Sequence, residues 1–408
     1  MNSIVTLLKF LLRPSWACGT ELINAYEQRF AQTVIGNDLP ALAFGRGRVA
    51  LWTILRAGGV TQESEVILPA YTCETVPMAV KFAGAKCVYV DAESGQFNAS
   101  LRDISNALTG QTRVIICQHT YGIMQPMPEL ISLAQKNQTI LIEDRCHLIQ
   151  NDLDGEGMVT LSQAAYFSTH TSKPFSTGQG GMAVFSDPDL YTAARNVYTT
   201  FPCDDNRRVI RSLALQMLLY TLTVRPTTRA PIGGIYRWAQ RRGLIRGSIS
   251  VEEYGQMMPS NYLSRATAFQ AVLGMTQLRD WHRNRRHRQN LTRFYIEELS
   301  GIGMNVSALL AGGIDPILLY VPILVENKQE MLRRAARRAL PIACWFDRTP
   351  AHICPQTAYR YDYHPGQCPR AEKLISKEIH LLTAPWVTPK QAQRAIGLIK
   401  KYASLVSY

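Results

Sequence analysis

The chain has 408 residues, 44 Lys and Arg against 31 Asp and Glu, a net charge of +13 and 46% hydrophobic residues. A domain holds roughly 100–200 residues, so two or three share this length, and the ordinary composition excludes a disordered, collagen-like or disulfide-scaffold chain. No apolar run approaches the ~20 residues that span a bilayer, which excludes a polytopic membrane protein.

The nine cysteines show no CxxC pair and no zinc spacing. They read as reduced thiols of a cytoplasmic protein, and no metal site is expected. The basic surplus favours acidic partners: phosphate-bearing small molecules, anionic lipid headgroups or nucleic acid.

Residues 1–18 read as an N-terminal arm. Ile4–Leu12 is apolar apart from Thr6 and Lys9, and Arg13-Pro14 ends it. It is too short to span a membrane and lacks a basic n-region and a cleavage site. It either packs on the body or a second subunit, or lies on a membrane surface.

Residues 19–206 read as a large α/β domain. Val66–Pro69, Cys87–Asp91, Val114–Cys117, Ile140–Asp144 and Ala164–Ser168 are strand-like runs separated by helical stretches. That alternation predicts a mainly parallel sheet covered on both faces. Ligands of such sheets bind outside the carboxyl ends of the strands.

Residues 207–254 break the rhythm as a basic and apolar connector. Leu213–Tyr220 is flanked by Arg207, Arg208 and Arg211, and Trp238 sits among Arg237, Arg241 and Arg242. This segment either buries as a helix in a dimer or touches an anionic membrane peripherally at the inner face. Residues 255–408 read as a smaller α+β domain. It has helices at 270–278, 280–299, 327–339 and 389–404, and strands at Ile317–Val321 and Ile379–Leu382. The basic run Trp281–Arg288 falls on a helix, where its charges spread around the cylinder as a solvated face rather than a nucleic-acid patch. Asp204-Asp205 has no partners at metal-ligand spacing.

Three places carry chemistry. Lys173 follows the strand Ala164–Ser168 in a segment of small hydroxyl residues and glycines that ends at Gly180-Gly181. Such a lysine can meet a phosphate or form a Schiff base with an aldehyde cofactor; otherwise it is a surface lysine on a Gly-rich loop. Asp144 ends a continuous apolar strand, where a carboxylate is costly unless paired with a cation. Pyridoxal phosphate needs an acid of this kind beside its ring nitrogen. Gly45-Arg46-Gly47-Arg48 runs into a helix-like segment whose free N–H groups could hold a phosphate, although the pattern also suits a simple turn. His119 and His170 are candidates for acid–base work or for hydrogen-bonded positioning.

In this order, with Glu65–Thr72, His119–Gly122, Phe269-Gln270-Ala271, Gln277-Leu278, Arg288 and Ala384-Pro385-Trp386, these residues resemble the DegT/DnrJ/EryC1/StrS family of sugar aminotransferases. The resemblance covers nearly the whole chain. It implies a fold-type-I pyridoxal phosphate transferase, with a mostly parallel seven-stranded sheet between helices and a smaller C-terminal α+β domain. It further implies that Lys173 is the Schiff-base lysine and Asp144 the partner of the ring nitrogen. His147 would stand beside the phenolic oxygen. Ser168 would bind the phosphate by its hydroxyl, and Gly47 and Arg48 by backbone N–H.

Two departures from the family pattern stand out. Arg46-Gly47-Arg48 replaces Ser-Gly-Thr, and Cys73 occupies the position where an aromatic ring often stacks on the cofactor, with Tyr71 as its substitute. The implied activity is transfer of an amino group, with glutamate as donor, to a nucleotide-linked keto sugar by a homodimer that binds no nucleic acid. The alternatives are a sugar dehydratase or a non-catalytic, membrane-associated member of the family. The family's dehydratases carry His in place of the Schiff-base lysine, so Lys173 argues against the first. Retention of Asp144, Ser168 and Lys173 together argues against the second.

Overall fold

Seven strands, β1 (Ala41–Phe44), β2 (Glu65–Pro69), β3 (Lys86–Val90), β4 (Thr112–Gln118), β5 (Ile140–Asp144), β6 (Ala164–Ser168) and β7 (Gly181–Phe185), form a mostly parallel sheet in the order β1-β7-β6-β5-β4-β2-β3. The computed structural model describes residues 20–148, 162–203, 207–223, 234–236, 238–239, 242, 244–245, 249–310, 315–345 and 355–406. The expected N-terminal arm 1–18, Asp204-Asp205, Arg237 and Arg241 lie outside the described residues. Two compact units are present, Met1–Ala57 with Asn151–Trp281, and Gly58–Gln150 with His282–Tyr408.

In the first unit β7 lies antiparallel to both β1 and β6. The Gly47–Ala57 helix packs its buried Val49, Ala50, Leu51, Ile54 and Leu55 toward these strands. The Thr20–Phe30 helix adds Phe30, whose ring meets Phe167 edge-on at 5.0 Å and Phe175 at 5.6 Å. The Arg207–Thr223 helix buries Ile210, Leu213, Ala214 and Met217 against Ala268, Phe269 and Leu273. Most of the apolar run in the connector is therefore core of this unit.

In the second unit β2, β4 and β5 run parallel with β3 at the edge. Ile67, Val90, Ile115, Cys117 and Leu141 cover one face together with Leu130 and Ala134 of the Met127–Lys136 helix. A separate antiparallel sheet joins β8 (Tyr320–Leu324), β10 (Glu378–Leu382) and β9 (Ile342–Ala343). The strand expected at Ile317–Val321 begins three residues later, at Tyr320. The preceding backbone is committed elsewhere: Leu318 N–H donates to Thr292 Oγ1, Leu319 N–H donates to the Tyr121 carbonyl, and the Leu318 and Leu319 carbonyls accept from the Thr383 hydroxyl.

The closest helix contact of the first unit generates two expectations. Gly274, in the Ala268–Arg279 helix, faces the buried Tyr26 ring so closely that an added Cβ would lie 2.5 Å from Tyr26 Cζ. Gly274→Ala should cost about 1–3 kcal/mol of unfolding free energy by overpacking, read by urea denaturation. Beside Tyr26, burial pushes the Glu27 carboxyl up to about 7, although Ala43 N–H and the Tyr198 hydroxyl donate to it and Arg195 and Arg265 oppose the shift. A carboxyl raised in the folded state contributes stability at low pH that is lost as pH rises through its folded pKa. The thermal midpoint should fall between about pH 5 and about pH 8, and Glu27→Gln should flatten that slope.

Candidate active site

The candidate residues divide between the two units. In the first, the Gly47–Ala57 helix starts directly against the end of β6. A Cβ on Gly47 would lie 3.0 Å from Ser168 Cβ, and one on Gly181 would lie 2.5 Å from Gly47 Cα. Glycine at both positions lets the helix N-terminus, the positive end of its dipole, come up to the Ser168 side chain. Gln270 ties two loops around it, since its side-chain N–H donates to the carbonyls of Gly45 (3.3 Å) and Gln179 (2.5 Å). The loop after β6 is closed by the Thr169 and Thr177 hydroxyls at 2.6 Å, with Thr177 N–H donating to the Thr169 carbonyl. Lys173, half-buried, lies within this loop and donates its N–H to the His170 carbonyl.

The field here is positive. Burial and the nearby cations Lys173 and Arg48 hold the His170 pKa down to about 4. His170 is thus neutral at physiological pH, and its backbone N–H donates to Ser168 Oγ at 3.4 Å. A helix N-terminus and a serine hydroxyl beside the loop that carries Lys173 suit a phosphate monoester.

Arg48 has a partner that its neighbours in sequence do not reveal. Its guanidinium grips Glu253 through Nε–Oε1 at 2.5 Å and Nη2–Oε2 at 2.8 Å, and lies 5.7 Å from the centre of the Tyr262 ring. Glu253 also accepts from Ser250 N–H at 2.8 Å. The pair spans 205 residues of sequence. The one available signal was that Glu252-Glu253 are the first acids after a long arginine-rich stretch. Arg48 therefore has its side chain engaged by Glu253.

In the second unit, β5 ends in two acids with different fates. Successive residues of a strand face opposite sides. Glu143, fully buried, accepts from Arg145 through Nε at 2.8 Å and Nη2 at 2.7 Å, and lies 3.0 Å from His119 Nε2. His119 Nδ1 accepts from Gln125 N–H. His119 is therefore a structural group beside β5. Asp144, also buried, accepts from Cys146 N–H through Oδ1 at 2.9 Å. A carboxylate at the carboxyl end of a strand, held by a backbone N–H, can meet a protonated ring nitrogen.

His147 is fixed by Tyr121. Tyr121 N–H donates to His147 Nδ1 at 3.2 Å, which leaves the proton of the neutral imidazole on Nε2 as a donor. The two rings stack at 5.9 Å and 9°, and Trp345 lies 3.9 Å from the imidazole centroid. Tyr121 holds a left-handed φ of 60°, a sparsely populated state for a bulky residue that the surroundings must over-determine. Its hydroxyl meets that of Tyr71 at 2.6 Å. Tyr71 is fully buried among Phe97 and Tyr121, while Cys73 is half-buried and accepts from the Thr75 hydroxyl. Among the described residues no cluster of His, Cys, Asp and Glu could hold a metal ion.

The family model for the DegT/DnrJ/EryC1/StrS aminotransferase family matches residues 2–217 and 238–400. An uncharacterized protein of Methanocaldococcus jannaschii is 24% identical over 99% of this chain and 95% of its own length. GDP-perosamine synthase of Escherichia coli O157:H7 is 31% identical over 41% of this chain and 46% of that enzyme. UDP-N-acetyl-3-dehydro-alpha-D-glucosamine 3-aminotransferase of Acidithiobacillus ferrooxidans is 34% identical over 37% of this chain and 41% of that enzyme. In structure, DesV of S. venezuelae superposes with a TM-score of 0.69 at 21% identity, covering 99% of this chain and 95% of that one. A Bacillus subtilis protein, NtdA, crystallised with PMP, gives 0.71 at 18% identity, covering 98% of this chain and 81% of that one. These neighbours share the fold-type-I architecture. With its model matched along most of the sequence, the chain belongs to the DegT/DnrJ/EryC1/StrS aminotransferase family, whose members are pyridoxal-phosphate-dependent transaminases.

Proposed function

We propose that the protein is a sugar aminotransferase that takes its amino group from glutamate and delivers it to a keto sugar carried on a nucleotide. The observation that carries this reading is the helix N-terminus at Gly47 seated on Ser168, from which the loop that carries Lys173 runs on. That arrangement fits the phosphate of the cofactor. The names of relatives that act on GDP- and UDP-sugars support the substrate class.

Bound pyridoxal phosphate supplies an electron sink and an aldehyde that carries the amino group between substrates. The side chains of this chain do the rest. Lys173 Nζ would hold the cofactor covalently and, when released, would move the proton at the substrate carbon. Asp144 would keep the ring nitrogen protonated. His147 would offer its Nε2 proton to the phenolic oxygen, since Tyr121 N–H occupies its other nitrogen. The Gly47 and Arg48 backbone, with the Ser168 hydroxyl, would hold the phosphate. Half-buried Cys73 occupies the position where family members often stack an aromatic ring on the cofactor, with buried Tyr71 as the substitute. The working form is a homodimer.

The reaction is tested by adding glutamate to the holoenzyme and following the cofactor's visible absorbance. It should bleach and return on addition of 2-oxoglutarate; an unchanged spectrum with every amino donor would contradict transamination. Asp144→Asn should retain cofactor yet lose about 10²–10³ in half-reaction rate, the scale of one strong electrostatic contact. Gly47→Ala should weaken cofactor binding in an equilibrium titration of the apo-protein, because the methyl group would push the helix away from Ser168.

A further inference from the structure

The connector carries a feature that transamination does not use. From Asn206 to Val251 there are nine arginines and no aspartate, glutamate or lysine, so this stretch holds nine of the thirteen net positive charges. The family match skips residues 218–237, so part of the stretch lies outside the family's shared pattern. Within it, Ala239 and Ile245 are buried against Leu215, Leu219 and Tyr236. That anchoring turns three large apolar side chains outward: Ile235 is 47% exposed, Trp238 54% and Leu244 46%. Arg242 is exposed one turn from Trp238, its N–H donating to the Trp238 carbonyl, and Arg207 and Arg211 are exposed on the neighbouring helix.

We propose that Ile235, Trp238 and Leu244, with Arg242, Arg207 and Arg211, form a docking surface for an anionic lipid bilayer. An exposed tryptophan and two aliphatic side chains beside arginines match the headgroup–acyl boundary. There the rings and aliphatic groups leave water and the guanidinium groups meet phosphates. No helix among the described residues is long and apolar enough to cross a membrane, so the contact is peripheral. A second copy of the chain fits the surface poorly. A two-fold contact centred here would set arginine against arginine with no acid in the stretch to compensate. A nucleic acid would satisfy the charges but give Ile235 and Leu244 nothing to bury against.

The test uses the full-length holoenzyme in vesicle flotation, with phosphatidylcholine alone and with phosphatidylcholine mixed with phosphatidylglycerol. Binding is expected only to the mixed vesicles, weakening as salt is raised. Trp238→Glu and Leu244→Glu should each lower binding about tenfold or more, since each removes a buried apolar side chain from the contact. Arg242→Gln should lower it about fivefold and spare the residual apolar contact. The glutamate half-reaction of these variants should match that of the wild type, which separates this surface from the reaction. Three results would each overturn the proposal: flotation with neither vesicle, flotation insensitive to Trp238→Glu and Leu244→Glu, or a Trp238→Glu protein whose sedimentation mass falls to half. The last would assign the surface to a second copy. Capture of a single-stranded RNA oligomer without vesicle binding would do the same for nucleic acid.

Discussion

The contact between two glycines, Gly47 and Gly181, sets the position of the candidate residues of the first unit. A methyl group on Gly181 would fall within 2.5 Å of Gly47 Cα and 2.7 Å of its nitrogen. Without that methyl group, the helix N-terminus comes down on β6 and β7 at backbone distance, next to the Ser168 side chain. The loop after β6 then has little choice. The Thr169–Thr177 hydroxyl pair closes it, Gln270 fastens it to the Gly45 turn, and Lys173 is carried within it. Charge follows geometry here: burial, with Lys173 and Arg48 near, keeps His170 neutral.

In the second unit the constraint is the burial of acids. Two carboxylates close β5, and burial of an unpaired charge is too costly to survive folding. Glu143 is neutralised by Arg145 on one side with His119 on the other, which frees Asp144 from competing for the same cation. The strained Tyr121 performs a similar service for His147. Its N–H takes one imidazole nitrogen and directs the other outward as a donor.

Much of this was legible in the sequence because burial leaves a pattern. The mainly apolar runs Ile140–Asp144 and Ala164–Ser168 are strands over the residues expected, and the helices at 270–278, 280–299 and 389–404 lie within two residues of their observed ends. The antiparallel strands β1 and β7 escaped notice because Ala41–Phe44 is four residues long and β7 opens with a glycine that reads as loop. Lys173 and Asp144 were visible as polar residues out of place at strand ends. Glu253 was not, since no local pattern announces a partner 205 residues away for Arg48. The pairing of His119 with Glu143 and the left-handed Tyr121 are likewise tertiary facts. They arise from which strand ends the sheet brings together, not from the composition of any one segment. The connector was read from its apolar content as either interface or membrane contact. Its helix turned out to spend most of that content on the core of its own unit, leaving a smaller patch outside.

The central claim is that Lys173 is the lysine that holds the cofactor. Borohydride reduction of the holoenzyme, followed by proteolysis and mass mapping, tests it most directly. The account predicts a pyridoxyl adduct on the peptide containing Lys173 and none in Lys173→Ala. An adduct on any other lysine, or its persistence in that variant, would contradict the account.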